Sequence, residues 1–289
     1  MAAFATLAPS FTYNMGSKVL QAITSRSFGV LDPSWRIYPA PSLETHLPTV
    51  NDNLIDSLRD GSIVSCVGIR RFTGEREIEL DDGTRLEADG VIFCTGFIPH
   101  DELVQNQKPV NNGLKDSRIT TSSFPRLYQN VFPPEYADSL AYSCYWVTPT
   151  SVLGMADLIA MAVAQVFKGG YQLPSIPEMN TQIDKHQAWV RSLSQKTTVD
   201  PCIVQGWYWK EFLHKVAGTG VDEYLGWGWK GWWFWLTNPR FCSMLMSEYD
   251  SSASYRLFDG RRTKWEGAKE AIIETNKQID WMQRHGATM

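Results

Sequence analysis

Asp81-Asp82-Gly83-Thr84-Arg85-Leu86-Glu87-Ala88-Asp89-Gly90-Val91-Ile92-Phe93-Cys94-Thr95-Gly96-Phe97 is the stretch from which the fold is read. Asp82-Gly83 is a hairpin turn signal, because glycine accepts the positive φ that tight turns need. Glu75–Leu80 alternates polar and apolar residues before the turn and Arg85–Ala88 returns after it, so two strands are predicted there. A second pair, Asp89-Gly90, leads into the apolar run Val91–Cys94. Such a run suits a strand covered on both faces, as in the middle of an α/β sheet. The run stops at Thr95-Gly96. Ligands of open α/β sheets sit beyond the carboxyl ends of strands, and glycine lets the backbone come close to a bound group. Thr95 adds a hydroxyl and a backbone donor. Two readings of the junction stand: a cofactor contact, or a strand followed by an ordinary turn.

On the amino-terminal side, Ser62–Gly68 has strand chemistry. Asp52–Arg59 predicts a short helix, with Asn51 as cap, Leu54, Ile55 and Leu58 on one face, and Gly61 as stop. Pro33, Pro39, Pro41 and Pro48 make 31–50 an extended surface run. On the other side, 99–123 is a polar excursion and Tyr142–Val147 is a strand candidate. Ser151–Phe167 predicts a helix that is apolar nearly all round and stops at Gly169-Gly170. A helix from about Ser175 carries the capping box Ser175/Glu178 and a buried face of Met179, Ile183, Val190 and Leu193. A last helix from near Thr263, with a box partner at Glu266, carries Ala268, Ile272 and Ile279.

Bulk properties exclude several classes. The net charge is -4, with no basic excess to suggest nucleic acid. The five cysteines form no C-x-x-C pair and no N-x-S/T acceptor occurs, so zinc sites and disulfide frameworks are not expected and a reducing, cytoplasmic compartment is. Cys94 reads as a small core residue. His46, His100, His186, His214 and His285 show no metal spacing. Ser151–Phe167 is too short to cross a bilayer, which takes roughly 20 apolar residues, and it carries Asp157 and Gln165. Of the 12 tryptophans, seven lie between Trp207 and Trp235. The heavier reading of that cluster is a packed aromatic lid or core. The other is a peripheral membrane contact, since indole suits bilayer interfaces.

The quoted stretch resembles the "DGT … D-x-[VI]-[VI]-x-[AC]-T-G-[YF]" segment of flavin-containing monooxygenases and their Baeyer–Villiger relatives. The likeness continues in register. Arg36–Pro41, Leu47–Val50 and Leu54–Ile63 precede the hairpin as in the family. Pro125–Tyr128, Val131–Pro133 and Leu140-Ala141 resemble "P-x-L-Y-x-x-V-F-P … L-A-F-I-G". Gln165–Gly169, Leu173–Ser175 and Glu178-Met179 resemble "x-V-F-x-G … L-P-S-x-x-E-M". Tyr255–Leu257 and Trp265–Ala268 resemble the terminal "Y-R-L-x-G … W-x-G-A-R". Fungal dimethylaniline-monooxygenase-like proteins are the nearest in look.

The resemblance implies FAD and NADPH as cofactors. It implies a reaction in which reduced flavin takes up O₂ as a hydroperoxide and passes one oxygen to a soft nucleophile such as an amine or sulfide. It places Thr95, Gly96 and Phe97 at the junction of the two dinucleotide sites. It places Thr148, Pro149, Thr150 and Ser151 at a helix amino terminus aimed at the flavin pyrimidine edge, where unpaired N–H groups favour negative charge. Thr150 or Ser151 as plain N-caps is the competing reading. The family's two G-x-G-x-x-G cradles and the F-x-G-x-x-x-H motif between them do not occur in residues 1–100. Gly226-Trp227-Gly228-Trp229-Lys230-Gly231 matches the glycine spacing, but no apolar strand precedes it and Pro239 cuts off a long following helix. After Leu140-Ala141 the family's glycine is replaced by Tyr142-Ser143-Cys144. No catalytic residue can be named.

The expected fold is α/β, a partial Rossmann-like flavoprotein fold without its amino-terminal FAD-binding βαβ unit. Residues 1–50 form a lead-in, 51–170 the α/β remnant and 171–289 a helical, tryptophan-rich part. The expected function is a monooxygenase acting on a small-molecule substrate through an incomplete chain. The alternative is a non-catalytic interaction protein derived from the same fold, with the tryptophan surface as its contact patch.

Overall fold

The computed structural model describes residues 28–38, 53–95, 126–148, 151–195, 202–247 and 251–285, with positions 22, 26, 51, 199 and 200. It is a mixed α/β protein that divides into two compact units, Met1–Gln105 and Asn106–Met289.

The described part of the first unit holds a 3₁₀ turn, Pro33–Trp35, capped by Asp32 where the sequence predicts an extended run, then a short helix and a meander. Helix α1 spans Leu54–Arg59, and the side-chain carbonyl of Asn51 accepts the backbone N–H groups of Asn53 (2.8 Å) and Leu54 (2.6 Å) ahead of it. Strands β1 (Ile69–Phe72), β2 (Glu77–Leu80) and β3 (Arg85–Glu87) form an antiparallel sheet in the order β1-β2-β3. The β2–β3 turn is the one the sequence predicts. Gly83 takes φ 84° and donates to the Leu80 carbonyl at 3.0 Å, while the Leu80 N–H reaches the Thr84 carbonyl at 2.8 Å. Only β2 is covered: Ile78, Glu79 and Leu80 are buried. The Glu79 carboxylate accepts from Arg71 Nε (3.1 Å) and NH2 (2.7 Å), and that bonding holds its pKa below the ordinary value. A buried carboxylate without such a partner would be costly.

Val91–Cys94 is not the buried central strand that its composition predicts. Residues 91–95 have no regular structure, and Val91, Ile92 and Phe93 are 37%, 88% and 69% exposed. Cys94 is exposed as well, so the core assignment fails there. Among the described residues nothing pairs with β3 on its outer side, so the run has neither a ladder partner nor an apolar cover. Ser62–Gly68 likewise falls just short of β1.

The second unit is helical. Helix α2 spans Val152–Phe167, α3 Ile176–Ser194, α4 Gly206–Ala217, α5 Val221–Tyr224, α6 Trp229–Thr237, α7 Pro239–Ser247 and α8 Ala268–His285. Its core joins Phe132, Leu158, Ile159, Ile183, Leu213 and Tyr255. Helices α2 and α4 pack together at its centre, and the 3₁₀ turn Ser252–Arg256 packs on both α2 and α8. The predicted α3 capping box forms, with Glu178 Oε2 accepting the Ser175 N–H at 2.9 Å and its hydroxyl at 2.7 Å. Met179, Ile183 and Val190 are buried as the spacing predicts, and Leu193 is half-buried against Val190 and its neighbours.

Two element expectations are corrected. Tyr142–Val147 is not a strand. The Tyr142 N–H is taken by the Val131 carbonyl and the Trp146 indole by the Ser143 carbonyl, which leaves one parallel bridge, Val147 to Ile203. The last helix starts at Ala268 rather than near Thr263; ahead of it the Lys264 N–H donates to the Asp259 carboxylate and the Trp265 N–H to the Arg256 carbonyl.

Candidate cofactor site

The amino terminus of α2 is the part of the expected site that the structure describes best. Ser151 caps it, its hydroxyl accepting the Gly154 N–H at 3.3 Å. No acidic side chain lies in the first turn, so the positive end of the helix dipole is not neutralised from within. Val152 and Leu153 are 60% and 84% exposed there, which leaves two apolar side chains uncovered beside those N–H groups.

What holds this terminus is a neighbouring segment. The Val147 N–H donates to the Cys202 carbonyl at 2.9 Å and the Val204 N–H to the Val147 carbonyl at 3.1 Å. Thr148 is thereby buried against the start of α4, where a Cβ at Gly206 would stand 2.8 Å from its hydroxyl oxygen. Gly206 thus permits the close approach of α4 to the chain that enters α2. Behind the first turn, Asp157 of α2 forms a two-point ion pair with Arg256, at 2.6 Å through Oδ1 and NH2 and closer through Oδ2 and NH1. The Asp157 hydrogen bond raises the Arg256 pKa. Tyr255, fully buried, stands over Gly154, where a Cβ would meet its hydroxyl at 3.5 Å.

Beside this arrangement lies a cleft of about 260 Å³ lined by residues of the 127–130 turn, α3 and the start of α4. The turn is tight: Gln129 and Asn130 both take positive φ, 54° and 56°. The Trp209 indole holds the Gln129 carbonyl at 2.7 Å and Asn130 reaches the Cys202 carbonyl at 3.4 Å. His186 lines the cleft with its Nε2 buried and unpaired among the described residues. Burial depresses its pKa, the Ile203 backbone opposing in part, so the ring is held neutral. The lining has one cation, Lys185, and no carboxylate. Sequence reasoning passed His186 over. The signal was its place in the series Ile183, His186, Val190 and Leu193, on the inward face of α3.

Of the expected site residues, Thr148 and Ser151 are brought together at the α2 entry. Thr95 belongs to the first unit, where it is exposed. Gly96, Phe97, Pro149 and Thr150 lie outside the described residues. Among the described residues, the acid-free α2 terminus offers backbone N–H groups of the kind an anionic ring edge accepts. The glycine-spaced string 226–231 is no phosphate cradle, because it closes on itself: a Cβ at Gly231 would collide with the Gly226 carbonyl.

A sequence model of the family described as Flavin-binding monooxygenase-like matches residues 14–284. Monooxygenase aurF of Gibberella zeae is 40% identical over 251 residues, covering 85% of this chain and 48% of that protein. Flavin-containing monooxygenase 5 of Oryctolagus cuniculus is 29% identical over 280 residues, covering 95% and 46%. Flavin-containing monooxygenase 5 of Homo sapiens is 27% identical over 267 residues, covering 91% and 44%. The chain therefore spans about half the length of the curated relatives it matches. With a family match over nearly all of its residues, the chain belongs to the flavin-binding monooxygenase-like family.

Proposed function

We propose that this chain supplies the carboxyl-terminal part of an FAD- and NADPH-dependent monooxygenase that oxygenates a soft nucleophile, an amine or sulfide of the dimethylaniline type. The observation that carries the reading is the family match over 14–284, within which the α2 amino terminus is capped, acid-free and rimmed by exposed apolar residues. Bound flavin would supply the redox chemistry and the activation of O₂. The chain's own residues would bind and orient. Thr148, Pro149, Thr150 and Ser151 would set the α2 N–H groups against the pyrimidine edge, where a partial positive charge favours the anionic reduced ring. Thr95, Gly96 and Phe97 would lie where the two dinucleotides meet, on a partial Rossmann-like framework in a cytoplasmic enzyme. The Asp157–Arg256 pair and Gly206 would keep the α2 terminus in place.

The test is a fusion of this chain to the amino-terminal half of the Gibberella zeae relative, with the unfused chain beside it. The fusion is expected to retain FAD near one per chain and to consume NADPH faster with a thioether present, while the unfused chain binds FAD weakly. A folded fusion that keeps no flavin would overturn the proposal and favour a non-catalytic interaction protein.

A further inference from the structure

The cleft between the 127–130 turn, α3 and the start of α4 takes no part in the proposed flavin chemistry. Of the clustered tryptophans, Trp209 is packed in its floor. Trp227, Trp229, Trp232, Trp233 and Trp235 are exposed, so the expected packed core does not hold for those five.

The floor is apolar. Leu127, Tyr128, Ile183, Val204 and Trp209 line it, and each is itself buried. Packing behind the floor fixes its shape: the Tyr128 ring meets Phe212 edge-on at 5.5 Å, and the Trp209 ring lies 5.4 Å from that of Trp146. Burial raises the Tyr128 pKa and lowers that of His186, so neither brings a charge to the wall.

The rim is polar and uncommitted. Gln182 and Lys185 of α3, with Gln205 and Tyr208 at the start of α4, are exposed there. Among the described residues none of these four side chains has a hydrogen-bond or charge partner. Gln205 is the N-cap of α4, yet its side chain makes no cap bond. The acids beside these segments are engaged elsewhere. Asp184 pairs with Arg126 at 2.6 Å, Glu178 is held in its capping box, and Asp200 accepts the Cys202 N–H at 2.8 Å.

Size and charge select the occupant. An engineered apolar cavity of about 150 Å³ holds benzene. At about 260 Å³ this cleft has room for a larger planar ring system with one small substituent. Buried aromatic side chains in the floor favour an aromatic ring, through offset or edge contacts. One unpaired ammonium at the rim matches one negative charge. A cation would be repelled there, and a dianionic phosphate would find a single cation. The two amides and the phenol are neutral donors for the oxygens of the same group.

We propose that this cleft binds a small aromatic carboxylate, with its ring on the Tyr128/Trp209 floor and its carboxylate at Lys185. The inference does not depend on the flavin reading, because every residue it uses belongs to the second unit.

The test is isothermal titration calorimetry of the purified 289-residue chain with 2-naphthoate, and with 2-naphthamide as its neutral counterpart. The acid is expected to saturate one site with a Kd below about 1 mM, and the amide to bind about tenfold more weakly. Lys185→Met should weaken the acid about tenfold and leave the amide within about twofold. Gln205→Trp, which fills the mouth from an exposed position, should abolish binding of both with an unchanged far-ultraviolet circular dichroism spectrum. Tyr208→Ala, also on the rim, serves as a second variant if that one does not fold, and should weaken both. A Kd for the acid above about 1 mM, equal affinity for acid and amide, or binding that neither Lys185→Met nor the rim variant alters would each overturn the proposal. The last of these would place the ligand on the exposed tryptophans instead.

Discussion

Arg256 and Asp157 show how a single contact can carry structural weight beside the candidate site. Arginine presents a planar fork to a carboxylate, and here the two join the 3₁₀ turn Ser252–Arg256 to the second turn of α2. Their side chains are 35% and 27% exposed, between a surface pair and a buried one. A double-mutant cycle of Arg256→Ala and Asp157→Ala, read by denaturant unfolding, should give a coupling of about 1–3 kcal/mol, above that of exposed pairs and below that of fully buried ones. Arg256 was quoted from a family motif and Asp157 was noted only as a polar interruption in an apolar helix. Their pairing across the fold has no local signal, because the partners are far apart in the chain.

Among the elements, the string 226–231 separates pattern from packing. Its glycines match a dinucleotide motif by spacing, yet two of the three, Gly226 and Gly231, serve a steric end, and a Cβ at Gly228 would meet nothing within 4 Å. A Cβ at Gly226 would run into the Asp222 carbonyl and one at Gly231 into that of Gly226. Gly231→Ala should therefore lower stability by about 1–3 kcal/mol, as overpacking does, with a lower denaturant midpoint and an unchanged m-value as the readout. Helices α2 and α3 were legible because their caps are local: Ser151, and Ser175 with Glu178, sit where the sequence puts them. Val91–Cys94 was misread because a buried strand is defined by its neighbours, and hydrophobic composition reports only the wish for them.

For the molecule as a whole, two buried or crowded titratable groups shape the dependence of stability on pH in opposite senses. Asp222 is an exposed residue whose carboxyl nonetheless stands in a partly desolvated corner beside Glu211, which pushes its pKa from 3.8 to about 6. Between those values the folded form holds a proton that the unfolded form releases, so stability falls as pH rises from about 3.8 to about 6 and the penalty is complete above that. Asp222→Asn should be more stable than the parent above about pH 6, with the gain vanishing below about 3.8. His186, depressed by burial, acts the other way. Its neutral form stabilises above the ordinary value of 6.5, and that contribution is lost as pH falls and the unfolded chain takes up the proton first. His186→Gln should flatten the acid side of a thermal-denaturation profile, and the two variants together should separate terms that partly cancel in the parent.

Family, hairpin and helix caps could be told from the amino-acid order, since each depends on residues close along the chain or on motifs held in register. Gly83, Ser151 and the Ser175/Glu178 box needed no distant partner. Whether an apolar stretch is covered could not be told in that way. Val91–Phe93 and Trp227–Trp235 have the composition of an interior and stand at the surface, while Glu79 and His186 have the composition of a surface and lie against the interior. Burial is a property of which elements meet, and that depends on the sum of contacts between segments far apart in the chain rather than on any one of them.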